Sequence, residues 1–126
     1  MSATGTVAGV EVDALFKSID RFDAEAFGEL FAPDATYVFS NYPAVEGRDE
    51  IVGAAVAFWD TVASLNHHVL DILPFHGGFV SQLEITFGLK DGRNVTLPVA
   101  IITRTADGLI TDHRLYVNES PLASEG

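Results

Sequence analysis

The chain has 126 residues, a formal net charge of −11, no cysteine and 48 % apolar residues. This length and composition indicate one globular domain with a sizeable core. The negative charge repels phosphate groups, which argues against nucleic acid and anionic membranes as partners, and the absence of cysteine rules out disulfides and thiolate metal sites.

The start of the chain, MSATGTVAGVEV, does not resemble a signal peptide, because it has neither a basic segment nor a long apolar one. No apolar run approaches the ~20 residues that cross a bilayer. We therefore expect a cytoplasmic protein, with loose ends at residues 1–6 and 120–126.

The first part of the chain predicts two helices. Over residues 10–22, apolar side chains recur at helical spacing, namely at Val12, Leu15, Phe16, Ile19 and Phe22. Asp23 is expected to cap a second, shorter helix, which Pro33 is expected to end. The apolar stripe of this second helix consists of Phe27, Leu30 and Phe31.

A strand and a third helix follow. The segment ATYVFSN (35–41) is β-branched and aromatic, which is typical of a strand, and YPAVEG (42–47) predicts a loop or short strand. A third helix is expected after Gly47, because one helical face carries Ile51, Ala55, Phe58, Trp59 and Val62.

Everything after Ser64 predicts strands. NHHVLDIL, FVSQLEITFGL, VTLPVAIITRT and LITDHRLYVN are separated by the turns FHGG, KDGR and ADG, and the last two turns contain the Asp-Gly pair typical of hairpins. The order of two helices, a strand, a helix and a four-stranded meander predicts an α+β fold.

Two segments carry a family resemblance. ELFAPDATYVFSNYPAVEGRDEIV (29–52) and DGLITDHRLYVNESPL (107–122) resemble the nuclear transport factor 2-like superfamily, within its SnoaL-like group. The resemblance covers the chain from about residue 10 to 122 and implies a single SnoaL-like domain over residues 1–126. It implies a cone-shaped α+β barrel, in which three N-terminal helices and a strongly curved, mostly antiparallel sheet enclose an apolar pocket. It also implies a homodimer formed through the sheet.

Alternation within the strands agrees with a sheet that is covered on both faces. Phe79, Leu83, Ile85 and Phe87 share one face of their strand, and Gln82, Glu84 and Thr86 share the other. The next strand is apolar on both faces, with Val99 and Ile101 opposite Ala100 and Ile102. We expect one face to line the pocket and the other to meet a partner subunit.

Two known chemistries of the superfamily do not match this chain. A steroid isomerase-like site needs polar groups at the positions matched by Phe39, Leu15 and Ala100, all of which are apolar here. A limonene epoxide hydrolase-like site is matched by Asn41 alone. Its other positions hold Phe39, Glu84, Gln82 and Leu115.

The resemblance to scytalone dehydratase-like sites is better. It implies an acid–base pair formed by Asp20 and His68, with His67 as the alternative in the competing strand register. His68 shares its predicted face with Leu70 and Ile72, so we expect its ring to point inward. The SnoaL-like cyclases use a single acid–base group, for which His113 on the last strand is the candidate. A histidine can both accept and donate a proton near neutral pH.

Purely structural roles are the alternatives to these catalytic assignments. His68 and His113 could be hydrogen-bonded core residues, and Asp20 could be an exposed carboxylate paired with Arg21 or Arg48. Glu84 falls on the polar face of its strand, which predicts solvent exposure, whereas the resemblance places it in the pocket.

The predicted catalytic residues are therefore His68, Asp20 and His113. The residues predicted to bind the ligand are Tyr37, Phe39, Asn41, Trp59, Glu84, Ala100 and Leu115. No metal-binding spacing and no phosphate loop is found, so no cofactor is expected.

The leading hypothesis is a cofactor-free lyase, cyclase or isomerase acting on an apolar, oxygenated ligand such as a polyketide- or steroid-like ring. The alternatives are a non-catalytic ligand-binding or dimerisation module and a partner-binding adaptor. Neither nucleic acid nor a membrane is an expected partner.

Overall fold

The structure is a computed structural model that describes residues 5–123. Two short strands, β1 (Thr6–Val7) and β2 (Val10–Glu11), form a hairpin ahead of the helices α1 (Val12–Asp20) and α2 (Ala24–Glu29). The remaining elements are β3 (Phe31–Phe39), β4 (Val45–Glu46), α3 (Arg48–Trp59), β5 (Val62–Phe75), β6 (Gly78–Leu89), β7 (Asn94–Ala106), β8 (Leu109–Tyr116) and a 3₁₀ turn (Ser120–Leu122). The predicted α+β class is confirmed.

The six strands after α2 form one curled sheet in the order β4-β3-β8-β7-β6-β5. Within the described residues this sheet does not close into the predicted barrel, because the edge strands β4 and β5 do not pair with each other. The predicted meander, β5 to β8, is antiparallel throughout. The pairing of β3 with β8 is parallel, and it was not part of the prediction. This pairing joins the strand between the helices to the last strand of the meander, so side chains from both meet on the inner face.

The helix α1 is shorter than the predicted residues 10–22. Val12, Leu15 and Phe16 form its buried stripe, whereas Val10 lies in β2. After Asp20 the chain turns at Phe22, whose φ of 55° is left-handed and ends the helix. Asp23 then caps α2, as predicted, by accepting a hydrogen bond from the Ala26 N–H at 3.1 Å.

The predicted role of Pro33 is wrong. The helix α2 ends at Glu29, and Pro33 lies within β3. The pairing of β3 with β8 is interrupted between Phe31 and Thr36. Pro33 lies in this interruption, where its missing backbone N–H does not cost the sheet a hydrogen bond.

The predicted loose ends need a partial correction. Residues 1–4 and 124–126 lie outside the described residues. Within the described part, Thr6 begins β1, and Ser120–Leu122 forms a 3₁₀ turn. The longest helix, α3, has 12 residues, and within residues 5–123 no helix is long and apolar enough to span a membrane.

The predicted alternation in β6 and β7 is confirmed. Phe79, Leu83, Ile85 and Phe87 are buried on the inner face. On the outer face Gln82 and Glu84 are exposed, and Ala100 and Ile102 are half-buried. The core therefore lies between the helices and the inner face of the sheet.

Ser81 is the exception in this core. Within residues 5–123, its Oγ is the one fully buried side-chain polar atom without a hydrogen-bond partner. An unpartnered buried hydroxyl costs about 1–3 kcal/mol of desolvation. We expect Ser81→Ala to leave the free energy of unfolding unchanged or to raise it by about 1 kcal/mol in urea titrations. A loss of more than about 1 kcal/mol would mean that the hydroxyl is satisfied in solution.

Candidate functional site

A cavity of about 630 Å³ lies between the helices and the inner face of the sheet. Its wall is largely apolar and rich in aromatic rings: Phe27, Phe58 and Trp59 from the helices, and Tyr37, Phe39 and Phe87 from the strands. The volume is in the range of pockets that hold a small organic ligand. Within the described residues 5–123, the side chains that line the cavity include no Lys or Arg.

His67 lines this cavity from β5. Leu65, His67 and Val69 alternate toward the inner face, where they pair with Phe87, Ile85 and Leu83 of β6. The His67 side chain is 4 % exposed. The sequence placed this ring on the wrong face, because a bulge between Val69 and Asp71 shifts the alternation.

Asp20 holds His67 through two hydrogen bonds. Its Oδ2 accepts from the His67 backbone N–H at 3.1 Å, and its Oδ1 lies 2.5 Å from Nδ1 of the ring. An ionised carboxylate only accepts hydrogen bonds, so Nδ1 carries a proton and the free lone pair is on Nε2. This arrangement leaves Nε2 of His67 as a proton acceptor.

The last turns of α1 build this support. Phe16 and Asp20 are four residues apart, so both project from the same helical face toward β5. The Phe16 ring stacks on the His67 ring with centroids 5.1 Å apart. One helix thus supplies both a flat apolar cover and a carboxylate for the same imidazole.

His113 lines the same cavity from β8 and is 1 % exposed. Its Nδ1 lies 3.0 Å from Oγ1 of Thr103, and its ring stacks on Tyr37 at 5.5 Å. Burial, and to a lesser extent the neighbouring His67, lowers the pKa of His113 to about 3. His113 is therefore neutral at physiological pH.

Tyr37 completes the polar part of the wall. Burial raises the pKa of its phenol well above the ordinary value of 10.0, so the hydroxyl remains protonated. The cavity wall thus contains the His67 imidazole, which Asp20 holds in place, and two neutral polar groups, His113 and Tyr37.

The prediction that His68 points inward is wrong. His68 is exposed on the outer face of the sheet, directly opposite Glu84, which is exposed as well. Ile72 faces inward, but it lies beyond the bulge between Val69 and Asp71. Because the bulge shifts the alternation of side chains, the inward direction of Ile72 does not carry over to His68. The alternation within β6 predicted the position of Glu84 correctly, and the resemblance placed it on the wrong side.

Two further predicted ligand-binding residues do not line the cavity. Asn41 is exposed, and its Oδ1 lies 3.1 Å from Ser40 Oγ, beside the sheet and away from the cavity wall. Ala100 lies on the outer face opposite Tyr116. The other predicted contacts do line the cavity, namely Tyr37, Phe39, Trp59 and Leu115. Their binding role remains a prediction.

The C-terminal segment borders the cavity, which the sequence analysis did not predict. Glu119, Ser120, Leu122 and Ala123 lie at its wall, with Tyr42 and Pro43. The Ser40 hydroxyl donates to the Glu119 carboxylate at 2.7 Å. Arg93 donates to the carbonyl of Ala123 at 3.1 Å. These contacts join residues that are far apart in sequence, so no local sequence pattern predicts them.

Among residues 5–123, no three His, Cys, Asp or Glu side chains are placed to hold a metal ion.

This fold, with a cavity between the helices and a curled sheet, is the nuclear transport factor 2-like fold. The model of the SnoaL-like domain matches residues 12–113, and the chain belongs to that family. No curated protein matches the sequence.

Three solved structures are similar in fold. A protein from Jannaschia sp. CCS1, assigned as a SnoaL-like polyketide cyclase, is 18 % identical with a TM-score of 0.80, over 88 % of this chain and 85 % of that one. A Catenulispora acidiphila protein with a ketosteroid isomerase-like fold, in complex with trimethylamine, is 21 % identical with a TM-score of 0.78, over 83 % and 82 %. An LEH-like epoxide hydrolase from M. tuberculosis is 15 % identical with a TM-score of 0.75, over 85 % and 79 %.

Proposed function

We propose that this protein is a cofactor-free enzyme that abstracts a proton next to a carbonyl group of a neutral, apolar ring ligand. The observation that carries the proposal is the Asp20–His67 pair at the wall of the apolar cavity. A base that is positioned by a carboxylate and shielded from bulk water is the usual arrangement for such a proton transfer.

His67 is the general base of the proposed reaction. Its Nε2 accepts the proton from the ligand, while Asp20 keeps the ring in place and balances the positive charge that the ring then carries. When the enolate of the ligand collapses, the same nitrogen returns the proton at another atom. Loss of a β-hydroxyl, ring closure and double-bond migration all begin with this step, so it is common to lyases, cyclases and isomerases.

The electrostatics of the cavity favour a neutral ligand. Within the described chain no cationic Lys or Arg lines the wall, and Glu119 places a carboxylate at it. With a net charge of −11, the protein also repels carboxylates and phosphates at longer range. The aromatic wall favours a ring-shaped ligand.

The structural neighbours support the same ligand class. One of them is assigned as a polyketide cyclase, and polyketide rings are apolar and rich in carbonyl groups. At 18 % identity this likeness bears on the fold, so the proposal depends on the residues of this chain's own cavity.

Deuterium exchange tests the proposed reaction class. The protein is incubated in D₂O with neutral bicyclic ketones, such as 2-tetralone and 1-decalone, and with a carboxylate-bearing analogue. NMR then reports the rate of deuterium incorporation next to the carbonyl. We expect the protein to accelerate exchange of the neutral ketones and not of the anionic analogue. Ligand binding without any accelerated exchange would instead favour a non-catalytic binding module.

We also propose that the outer face of the sheet forms a homodimer. Leu73 and Tyr116 are 51 % and 54 % exposed on this face. Val80, Ala100 and Ile102 lie between them across adjacent strands. This continuous apolar surface is typical of an interface between subunits.

We expect Ile102→Glu to convert a dimer into a monomer, because a two-fold interface would bring the new carboxylate close to its own copy. Analytical ultracentrifugation at micromolar concentration measures the mass. Ala57→Glu, on the exposed side of α3, is the matched control and should leave the mass of two chains unchanged. A monomeric wild-type protein would contradict the proposal.

A further inference from the structure

We propose that Thr103 holds His113 in the Nε2–H tautomer, so that His113 and Tyr37 together form a neutral pair of hydrogen-bond donors for a ligand oxygen. This inference deepens the proposed function and depends on it for the identity of that oxygen. It makes Thr103 a positioning residue, although Thr103 does not line the cavity.

The sheet register places these three residues side by side. His113 of β8 pairs with Tyr37 of β3 on one side and with Thr103 of β7 on the other. Tyr37 stacks on the His113 ring at an angle of 20°, and Phe31 meets the same ring edge-on, with centroids 5.8 Å apart. The ring is thus clamped by aromatic neighbours, and its Nδ1 faces the Thr103 hydroxyl.

Hydrogen-bond satisfaction selects the tautomer. Thr103 is fully buried, and its hydroxyl has His113 Nδ1 as its one side-chain or backbone partner within residues 5–123. If Nδ1 carried the proton, the hydroxyl hydrogen of Thr103 would be buried without an acceptor, at a cost of about tenfold or more in the tautomer equilibrium. If the hydroxyl donates to Nδ1, both groups are satisfied and the proton of the ring is on Nε2.

The two donors reach the cavity. His113 Nε2 and the Tyr37 hydroxyl have no protein partner in the described part of the chain. Neither atom is fully buried, because among these residues Ser81 Oγ is the one side-chain polar atom that is both fully buried and without a partner. Both residues line the cavity, so their free N–H and O–H groups open into it.

The two histidines then have opposite roles. Asp20 sets His67 as a proton acceptor at Nε2, and Thr103 sets His113 as a donor at Nε2. Because the pKa of His113 is low, it stays neutral even when His67 accepts a proton. Donors aimed at the oxygen on which negative charge develops stabilise an enolate more than they stabilise the ketone.

The tautomer can be measured directly by ¹⁵N NMR of the histidine side chains in the wild-type protein at neutral pH. We expect His113 to show a protonated Nε2 and an unprotonated Nδ1. In Thr103→Val, which keeps the shape of the side chain, the Nδ1–H form should gain at least about tenfold in relative population, and Thr103→Ser should restore the wild-type spectrum. A wild-type His113 with its proton on Nδ1 would overturn the proposal, as would a spectrum that Thr103→Val leaves unchanged.

Paired probes test the donor function. 4-Nitrophenol carries an acidic oxygen, and 4-nitrotoluene has nearly the same shape without it. We expect Tyr37→Phe and Thr103→Val each to weaken binding of 4-nitrophenol about tenfold and to leave 4-nitrotoluene within about twofold. Equal losses of affinity for both probes would mean that Thr103 only packs against its neighbours and does not position a hydrogen-bond donor. Both measurements are independent of turnover, so a failure of the ketone exchange would not be confused with a failure of this inference.

Discussion

His67→Gln is expected to lower the rate of ketone deuterium exchange by about 10²- to 10⁴-fold, which is the usual contribution of a positioned general base. Glutamine has a similar size and can still hydrogen-bond to Asp20, but it cannot accept the proton. The substitution should therefore slow the proton-transfer step only, and the cavity should still bind an apolar ligand with nearly unchanged affinity.

His68→Gln is the matched control for this prediction. The same substitution one residue further along β5 falls on the exposed outer face, so the exchange rate should remain within about twofold of wild type. Asp20→Asn should give an intermediate loss, since it keeps a side-chain hydrogen bond and removes the balancing charge. A large loss in His68→Gln together with an active His67→Gln would contradict the assignment.

The second large effect is a loss of stability in mild acid caused by His113. Its pKa is about 3 in the folded protein and 6.5 ordinarily, so between these values the unfolded chain binds one more proton than the folded one. The free energy of unfolding then rises with pH, and it falls by about 1.4 kcal/mol per pH unit as the pH drops from 6.5 toward 3. We expect His113 alone to remove about 2–3 kcal/mol between pH 6.5 and 4.5.

Comparison with His113→Gln isolates this effect in urea titrations at several pH values. The carboxylates of the chain titrate in both proteins, so the difference between the two pH profiles reports His113. The variant should be less stable than wild type at pH 7 and should lose the difference as the pH falls. Parallel profiles would mean that His113 takes up a proton as readily in the folded protein as in the unfolded chain, and would contradict the lowered pKa.

Much of the fold could be predicted from local patterns. The Asp91–Gly92 and Asp107–Gly108 turns mark two hairpins, and the alternation in FVSQLEITFGL shows which face of β6 is buried. Such patterns arise within a few residues, where the physical cause is local. The alternation also gave the correct position of Glu84, although the family resemblance pointed the other way.

The candidate site was harder to predict, because it depends on irregular and non-local features. The choice between His67 and His68 was wrong, since Ile72 lies beyond a bulge that no sequence pattern marks. The contact of Tyr37 with His113 follows from the parallel pairing of β3 and β8, which joins segments about 75 residues apart. Thr103 entered no sequence argument at all, because its importance comes from its place opposite His113.

The central claim is that an apolar cavity is bordered by His67 and His113 and leaves His68 outside. The most direct test is an NMR titration with 2-naphthol that follows the side-chain resonances of the four histidines. The fourth histidine, His76, is exposed in the turn between β5 and β6. Saturable shifts of His67 and His113, with no shift of His68 or His76, are the predicted result. Shifts of His68 with a silent His67, or no saturable shift at any histidine, would contradict the claim.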